Sequence, residues 1–360
     1  MINKKIKVSL LILLFLCIPY NLYGNGFDFD FEFNFYIDSK VFSIVDLIQD
    51  EYFWPLEIRD ESIHVSSQQK YTFQSSDSNF YFGYLRKSES NINIDEETIK
   101  FFYDLGQGRL LSSRYKFKVN TVSQTLDGIY FGATVINLED YNIKIDLLAK
   151  LLRGLNLKRS YYNAEVSYRN GSFVLDGLST SSSSFISQET SQEGIDFYSI
   201  GFSMDFLLEW QIDDLQSLSL LLEDIYSFIY WNDIYTSDGS YTSDNLVIEE
   251  DFITYLPPYS GRYYHKNYYS QLSPMIKLSY RRDRFEGGFI LRNREIPYVS
   301  YDVLRREINN ELMTINLGLY ANQKQIDIDY SFLNLTLASD SINLSQSNSF
   351  NARVNINYQF

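Results

Sequence analysis

Apolar and polar residues alternate with a period of two at both ends of this chain. Phe27, Phe29, Phe31, Phe33, Phe35 and Ile37 interleave with Asp28, Asp30, Glu32, Asn34 and Tyr36. Phe350, Ala352, Val354, Ile356, Tyr358 and Phe360 interleave with Asn351, Arg353, Asn355, Asn357 and Gln359. Successive side chains of a strand point to opposite faces, so each segment presents one apolar and one polar face. In a soluble sheet the apolar face needs a covering layer. In a transmembrane barrel it faces lipid, and the polar face lines the lumen. A barrel in lipid must pair its first strand with its last, because no unsatisfied edge can face hydrocarbon. The two terminal segments are therefore predicted to pair antiparallel and close a ring.

The same alternation, punctuated by turn residues, predicts about fourteen strands. They fall over residues 27–37, 62–74, 79–88, 97–105, 109–123, 127–138, 141–156, 195–211, 215–231, 270–283, 284–296, 311–322, 325–336 and 349–360. Every second connection is tight: 75–78, 106–108, 139–140, 212–214, around Asp283, and 323–324. Gly106 and Gly108 permit positive φ, and the Asp213–Asp214 pair and Asn322 favour turns through bonds to their own backbone. The remaining connections are longer, up to 157–194 and 232–269. Short turns on one side and long loops on the other are the rhythm of a bacterial outer-membrane barrel with both termini periplasmic. Residues 179–184 and 236–245 are Ser-rich polar tracts that read as mobile loop. Val41 to Gln49 and Val303 to Leu312 carry helical spacing behind Asp38–Ser39 and Asp302 and read as short helices within loops.

Composition sharpens this reading. Lys4, Lys5 and Lys7 precede an apolar run from Val8 to Ile18, too short to span a bilayer, as in a secretory signal. Cleavage is expected near Gly24, giving a signal peptide over 1–24 and a barrel over 25–360. Cys17, the single cysteine, lies inside that segment; Leu16 before it is too bulky for a lipidation site. A mature chain without cysteine excludes disulfides, thiol catalysis and cysteine-based metal sites. Aromatic residues make up 17% of the chain, with 31 Tyr and 27 Phe, as expected where aromatic girdles mark two membrane interfaces. Mean hydropathy is −0.23, so the membrane signal lies in alternation, not bulk hydropathy. A net charge of −15 argues against a nucleic-acid partner.

With the apolar face toward lipid, the other face becomes a set of lumen charges. Asp28, Asp30 and Glu32 come from the first strand, Arg114, Lys116 and Lys118 from the fifth, and Arg353 from the last. Further candidates are Lys144, Asp146, Lys150, Glu286, Arg292, Arg294, Asp327 and Asp329. Acidic and basic walls opposed across a bore would impose a transverse field on polar solutes; the same charges, paired, would plug the tube. Trp231 and Trp210 are placed at the outer and inner ends of their strands, and the tyrosines from Tyr255 to Tyr269 in outer loop and girdle. Catalytic chemistry is sparse. His64 opens a strand and His265 lies in an outer segment near Glu250 and Asp251, without the second acidic pair that a barrel protease would need. The acidic run Glu249, Glu250, Asp251 lacks the spaced ligands of a calcium loop. No enzyme activity and no cofactor or metal are expected.

One stretch resembles a known family. Ile195–Asp196 through Gly201 and Asp205, the turn at Asp213–Asp214, then Leu218, Leu220, Leu222, Asp224, Ile225 and Trp231 form a strand–turn–strand unit. This unit, with the Leu256–Pro257–Pro258 stretch beyond it, is similar to those of outer-membrane barrels of about fourteen strands related to the long-chain fatty-acid transporter family. The resemblance implies strand number and a transport role. Family members place a small hatch with an Asn-Pro-Ala signature ahead of the first strand; this chain has no such signature, and no ligand-binding residue is carried over.

The expectation is a single all-β domain, a transmembrane antiparallel β-barrel in the bacterial outer membrane with short periplasmic turns and long outer loops. Its partners are the lipid bilayer and the barrel assembly machinery, for which Ile356, Tyr358 and Phe360 form the terminal signal. The expected function is a channel or transporter for small solutes, polar through a charged lumen or apolar by a transporter-like route. The alternative is a surface-exposed binding or adhesion barrel acting through its outer loops.

Overall fold

The first and last strands pair antiparallel, from Asp28 opposite Gln359 to Asp38 opposite Ser349. A computed structural model describes residues 27–39, 42–43, 60–75, 78–106, 114–169, 172–184, 199–249, 252–254, 259–292, 295–308, 311–320, 323–343 and 346–359. The strands are β1 (Phe27–Asp38), β2 (Glu61–Ser75), β3 (Phe80–Ile94), β4 (Arg114–Leu138), β5 (Ile143–Arg169), β6 (Ser172–Ser183), β7 (Ser199–Asp213), β8 (Gln216–Glu249) and β9 (Phe252–Thr254). They continue with β10 (Tyr259–Ser270), β11 (Met275–Arg282), β12 (Phe285–Leu291), β13 (Glu295–Ile308), β14 (Glu311–Tyr320), β15 (Gln323–Tyr330), β16 (Leu333–Ser339) and β17 (Ser349–Gln359). A helix, α1 (Glu96–Gly106), precedes β4. Fourteen strands close the ring: β1 to β5, β7, β8 and β11 to β17. The other three extend the sheet beyond its outer rim. Among the described residues no helix is long and apolar enough to cross a membrane.

The ring carries its apolar side chains outward. In register with one another stand Phe29, Phe73, Phe82 and Phe131, and in the next row Phe31, Tyr71, Tyr84 and Ile129. Phe80 is 72% exposed and Leu319 58%. A closed ring with an apolar exterior and charges within has its polarity inverted relative to a soluble protein, and lipid is the solvent that suits it. The chain is an outer-membrane β-barrel. The end at which β1 begins and β17 ends also carries short turns, at 139–142, 214–215, 283–284 and 331–332. Asn142, Asp283 and Ser331 take φ of 50°, 53° and 54° there, left-handed conformations that tight turns require.

The two walls differ in height. β4, β5 and β8 run 25, 27 and 34 residues, whereas β12, β15 and β16 run 7, 8 and 7. Above the low wall's rim, the outer half of β5 pairs with β6, β6 with the outer part of β8, and β8 with β10.

Several sequence expectations are corrected. Residues 97–105 form helix α1, not a strand. The Asp95 carboxylate accepts the Thr98 N–H at 2.9 Å and caps the helix, and Ile99 and Phe101 are fully buried. Gly106, assigned to a tight turn, ends this helix; the other two residues of that turn, 107 and 108, lie outside the described residues. Residues 114–123 and 127–138, placed on two strands, belong to one, β4; residues 107–113 lie outside the described residues. Residues 325–336 are two, β15 and β16, turning at Ser331, so the tight turn placed at 323–324 falls inside a strand. The helix predicted at 303–312 is β13 and β14; a bulge between Asp302 and Leu304 puts Val303 and Leu304 on the outer side together and imitates helical spacing. The polar tracts at 179–184 and 236–245 are largely strand, β6 and β8. Hydroxyl pairs hold them, Ser182 with the Tyr268 hydroxyl at 2.6 Å and Thr236 with Ser182 at 3.1 Å. Most of the segment 41–49 lies outside the described residues, as do residues 1–26.

Candidate functional site

Cross-strand partners share a face, so the register carries facing from strand to strand around the ring. Inward on β3 come Leu85, Lys87 and Glu89; on β4 Gln124, Leu126 and Tyr130; on β5 Leu148, Lys150 and Leu152; on β7 Ser203 and Asp205. On β8 a bulge opposite Asp205 gives Asp224 a φ of 52°, which turns its carboxylate into the barrel beside that of Glu223.

These inward groups form an ionic cluster that crosses the interior. The Lys87 ammonium, from β3, contacts the Asp224 carboxylate, from β8, and lies 3.2 Å from Glu89 and 3.4 Å from Glu223. The Lys150 ammonium lies 2.8 Å from Asp224 and 2.7 Å from Asp205. The Ser203 hydroxyl donates to Asp224 at 2.6 Å, and the Asp224 N–H donates to Asp205 at 2.8 Å. Lys87 and Lys150 each keep 4% of their side chains exposed and Asp224 none. Charges so thoroughly desolvated persist only when paired and hydrogen-bonded, as here.

An apolar cluster adjoins the ionic one: Leu126, Tyr130, Leu157, Ile229, Trp231 and Leu272, with Leu85 and Leu152. Residues 271–274, between β10 and β11, leave the wall and turn inward, placing Leu272 in this cluster. The Gln124 side-chain amide donates to the Gln271 carbonyl at 3.0 Å, and the Ser273 N–H donates to Glu89 at 3.2 Å. Trp231 is wholly buried; its indole N–H donates to Ser270 at 2.7 Å, and its ring lies where a Cβ on Gly154 would stand. Trp231 is thus an interior plug residue in mid-strand, not the outer end of a strand. Trp210, 39% exposed, does sit at the periplasmic end of β7.

The opposite side of the interior is open. Along β1, Asp28, Asp30, Glu32 and Asn34 face inward and are half-buried, in register with Gln359, Asn357, Asn355 and Arg353. Arg353 lies 3.2 Å from Glu32 and keeps 44% of its side chain exposed. Lys277 and Glu286 lie 3.9 Å apart, 33% and 25% exposed, with Gln325 and Asp327 further round. The outward positions of β17 include Ile356 and Tyr358; Phe360 lies outside the described residues.

Arg114, Lys116 and Lys118 also fall on the inward side of β4, but not opposite the acidic residues of β1. Lys116 lies roughly 45 Å along β4 from Tyr130, the residue level with Asp30, at about 3.3 Å per residue. Arg114 there contacts Glu165, and the backbone N–H groups of Lys116 and Lys118 donate to Glu97 and Thr98 of α1 and its first turn. The two sets are separated by the height of the outer extension. Arg292 bridges toward the Ser66 hydroxyl at 3.3 Å, and Arg294 lies outside the described residues.

Sequence reasoning missed Lys87, Glu89, Asp205, Glu223, Asp224 and Leu272 as one site. The available signal was the pair Glu223–Asp224 within a leucine-rich strand, since charge on an apolar strand needs an interior partner. In the extension, hydrogen bonds from Thr180 and then Tyr264, each at 2.9 Å, hold the Asp238 carboxyl below its ordinary range. His64 is buried, its Nδ1 2.6 Å from the Asn91 side chain. His265 lies on β10, 3.3 Å from the Asp233 carboxylate; Glu250 and Asp251 lie outside the described residues. Among the described residues no group of histidine and acidic side chains is arranged to hold a metal ion.

No protein-family model and no curated protein matches this chain. Among solved structures it is similar to a deltaS2S3 mutant of TodX, a monoaromatic hydrocarbon channel, at 10% identity and a TM-score of 0.42, covering 93% of this chain and 90% of that one. The toluene transporter TbuX of Ralstonia pickettii overlaps at 10% identity and a TM-score of 0.31, over 94% and 90% of the two chains. The outer-membrane protease OmpT of Escherichia coli overlaps at 8% and 0.23, over 95% and 99%. Overlap at this level carries no information on solute or mechanism.

Proposed function

We propose that this barrel is a constricted channel for small polar solutes, with passage along the β1 and β11–β17 side of its interior. The observation that carries this reading is the exposure of inward-facing charges on that side, 44% for the Arg353 side chain against 4% for Lys150 across the barrel. A side chain that points into a barrel and still meets solvent borders water. Asp28, Asp30, Glu32 and Arg353 would then set the field along the passage, and the plug of residues 271–274 would set its width. Planar-bilayer recordings test this. The native barrel is expected to conduct, and Asp30→Gln with Glu32→Gln to shift its selectivity toward anions, since two negative charges leave the wall. A silent native barrel, or selectivity indifferent to both changes, overturns the reading.

A second reading rests on the tall extension of β4, β5, β6, β8 and β10, a large ordered surface beyond what spanning requires. It is a surface-exposed binding or adhesion barrel, expected to retain an extracellular ligand without conducting.

A further inference from the structure

The outer face of the tall wall carries four distinct layers in register. Lowest are the lipid-facing rings and aliphatic groups Phe82 and Phe131, then Tyr84, Ile129 and Leu151. Directly above them, Arg86, Asp127 and Arg153 stand side by side on β3, β4 and β5. The Asp127 carboxylate takes two bonds from Arg153, at 3.1 and 2.9 Å, and one from the Tyr84 hydroxyl at 3.3 Å, while Arg153 keeps 68% of its side chain exposed. Above that row lies a cavity of about 160 Å³ lined by Ser67, Ser88, Ser90, Ser123, Thr125 and Asn156, with Glu89, buried and paired with Lys87, and Gln124 also on its lining. Lys158, exposed, stands beside Ser123 on the same face. The roof is apolar: Ile63 and Ile92, covered by Ile99 of α1.

We propose that this face binds a phosphorylated glycolipid of the outer leaflet. Three cations and one carboxylate leave a surplus of positive charge at the height where headgroups begin, on a chain whose net charge is −15. Arg86 and Arg153 are placed to take a phosphate, with Asp127 fixing the Arg153 guanidinium plane. The Ser-, Thr- and Asn-lined cavity offers both donors and acceptors, which suits sugar hydroxyls and not a bare anion. The aromatic and aliphatic rows below lie where acyl chains descend. A phosphate on a diacylglycerol would use the cations and leave the hydroxyl cavity empty, and a free sugar phosphate would use both and forgo the apolar rows. The acylated, phosphorylated sugar alone matches all three.

The full-length barrel in phosphatidylcholine nanodiscs, titrated with purified lipid A and followed by native mass spectrometry, tests this. Bound lipid A is expected on the native barrel, with occupancy falling about tenfold or more in Arg86→Gln/Arg153→Gln/Lys158→Gln while unheated gel migration stays that of a folded barrel. Ser123→Leu, which fills the cavity from a half-buried position, is expected to lower occupancy without touching the cations. Should the triple variant fail to fold, the Ser123→Leu result decides. Equal occupancy of native and variant barrels overturns the proposal. So does equal binding of phosphatidylglycerol, which would assign the patch to any anionic headgroup, or of glucosamine phosphate, which would assign it to a soluble ligand.

Discussion

The two walls of this barrel are built from the same alternation and solve different problems. On the low wall, β12, β15 and β16 run only 7 or 8 residues, and inward side chains such as Glu286 keep part of their surface in solvent. On the tall wall, inward side chains from β3, β4, β5, β7 and β8 meet one another, and Lys87, Lys150, Asp224 and Trp231 are removed from water. Over the rows nearest the short turns, the outward faces of both are apolar. Lipid exposure therefore constrains both walls alike, while the inner faces diverge: one can border an aqueous path, the other braces the cylinder and narrows it. The same residue type has a different energetic role on each. A lysine on the low wall is a partly hydrated charge, and a lysine on the tall wall is a buried one that depends on its partners.

Substitution of lysine by methionine breaks this contrast most directly. Lys87→Met leaves Glu89, Glu223 and Asp224 short of their shared cation, at a cost of about 3–5 kcal/mol. The temperature at which the compact gel species converts to the unfolded one is expected to fall markedly. A conversion temperature equal to native would show that the cluster does not brace the wall. Leu272→Ala removes the apolar contact of the inward segment, costs about 2–5 kcal/mol, and is expected to raise single-channel conductance. Unchanged conductance would place the constriction elsewhere. Lys277→Met on the low wall, whose partner Glu286 is 3.9 Å away and a quarter exposed, is expected to cost no more than about 1 kcal/mol. A loss as large as that of Lys87→Met would erase the distinction between the walls.

Facing was legible in the sequence wherever a strand ran unbroken. From Asp28 to Ile37 and from Phe350 to Tyr358 each residue lies on the side that alternation assigns. Strand number was legible only in total. Two strands were assigned too many around residues 97–123 and two too few around 295–339, because α1 offers apolar residues that also fit a period of two, and because the Val303 bulge breaks one. The interior cluster was not legible. Lys87, Lys150, Asp205 and Asp224 come from four strands, and Asp224 reaches the interior only through a bulge. No local pattern records which wall a charge will meet across a cylinder.

Lys87 and Asp224 lie 137 residues apart along the chain, and Lys150 and Asp224 lie 74 apart. Until β8 joins the growing sheet, both lysines lack Asp224 as a counter-charge, so the stabilisation the cluster provides arrives late in insertion. It also arrives with discrimination that alternation lacks. A one-residue slip of β8 would send Leu218, Leu220 and Leu222 inward and be rejected by lipid at once. A two-residue slip would keep Leu218, Leu220 and Leu222 outside, yet it would carry Asp224 roughly 6.6 Å from both ammonium groups at about 3.3 Å per residue. Electrostatic pairing across the interior can thus tell the native cylinder from its even-numbered misassemblies, which the membrane itself cannot distinguish.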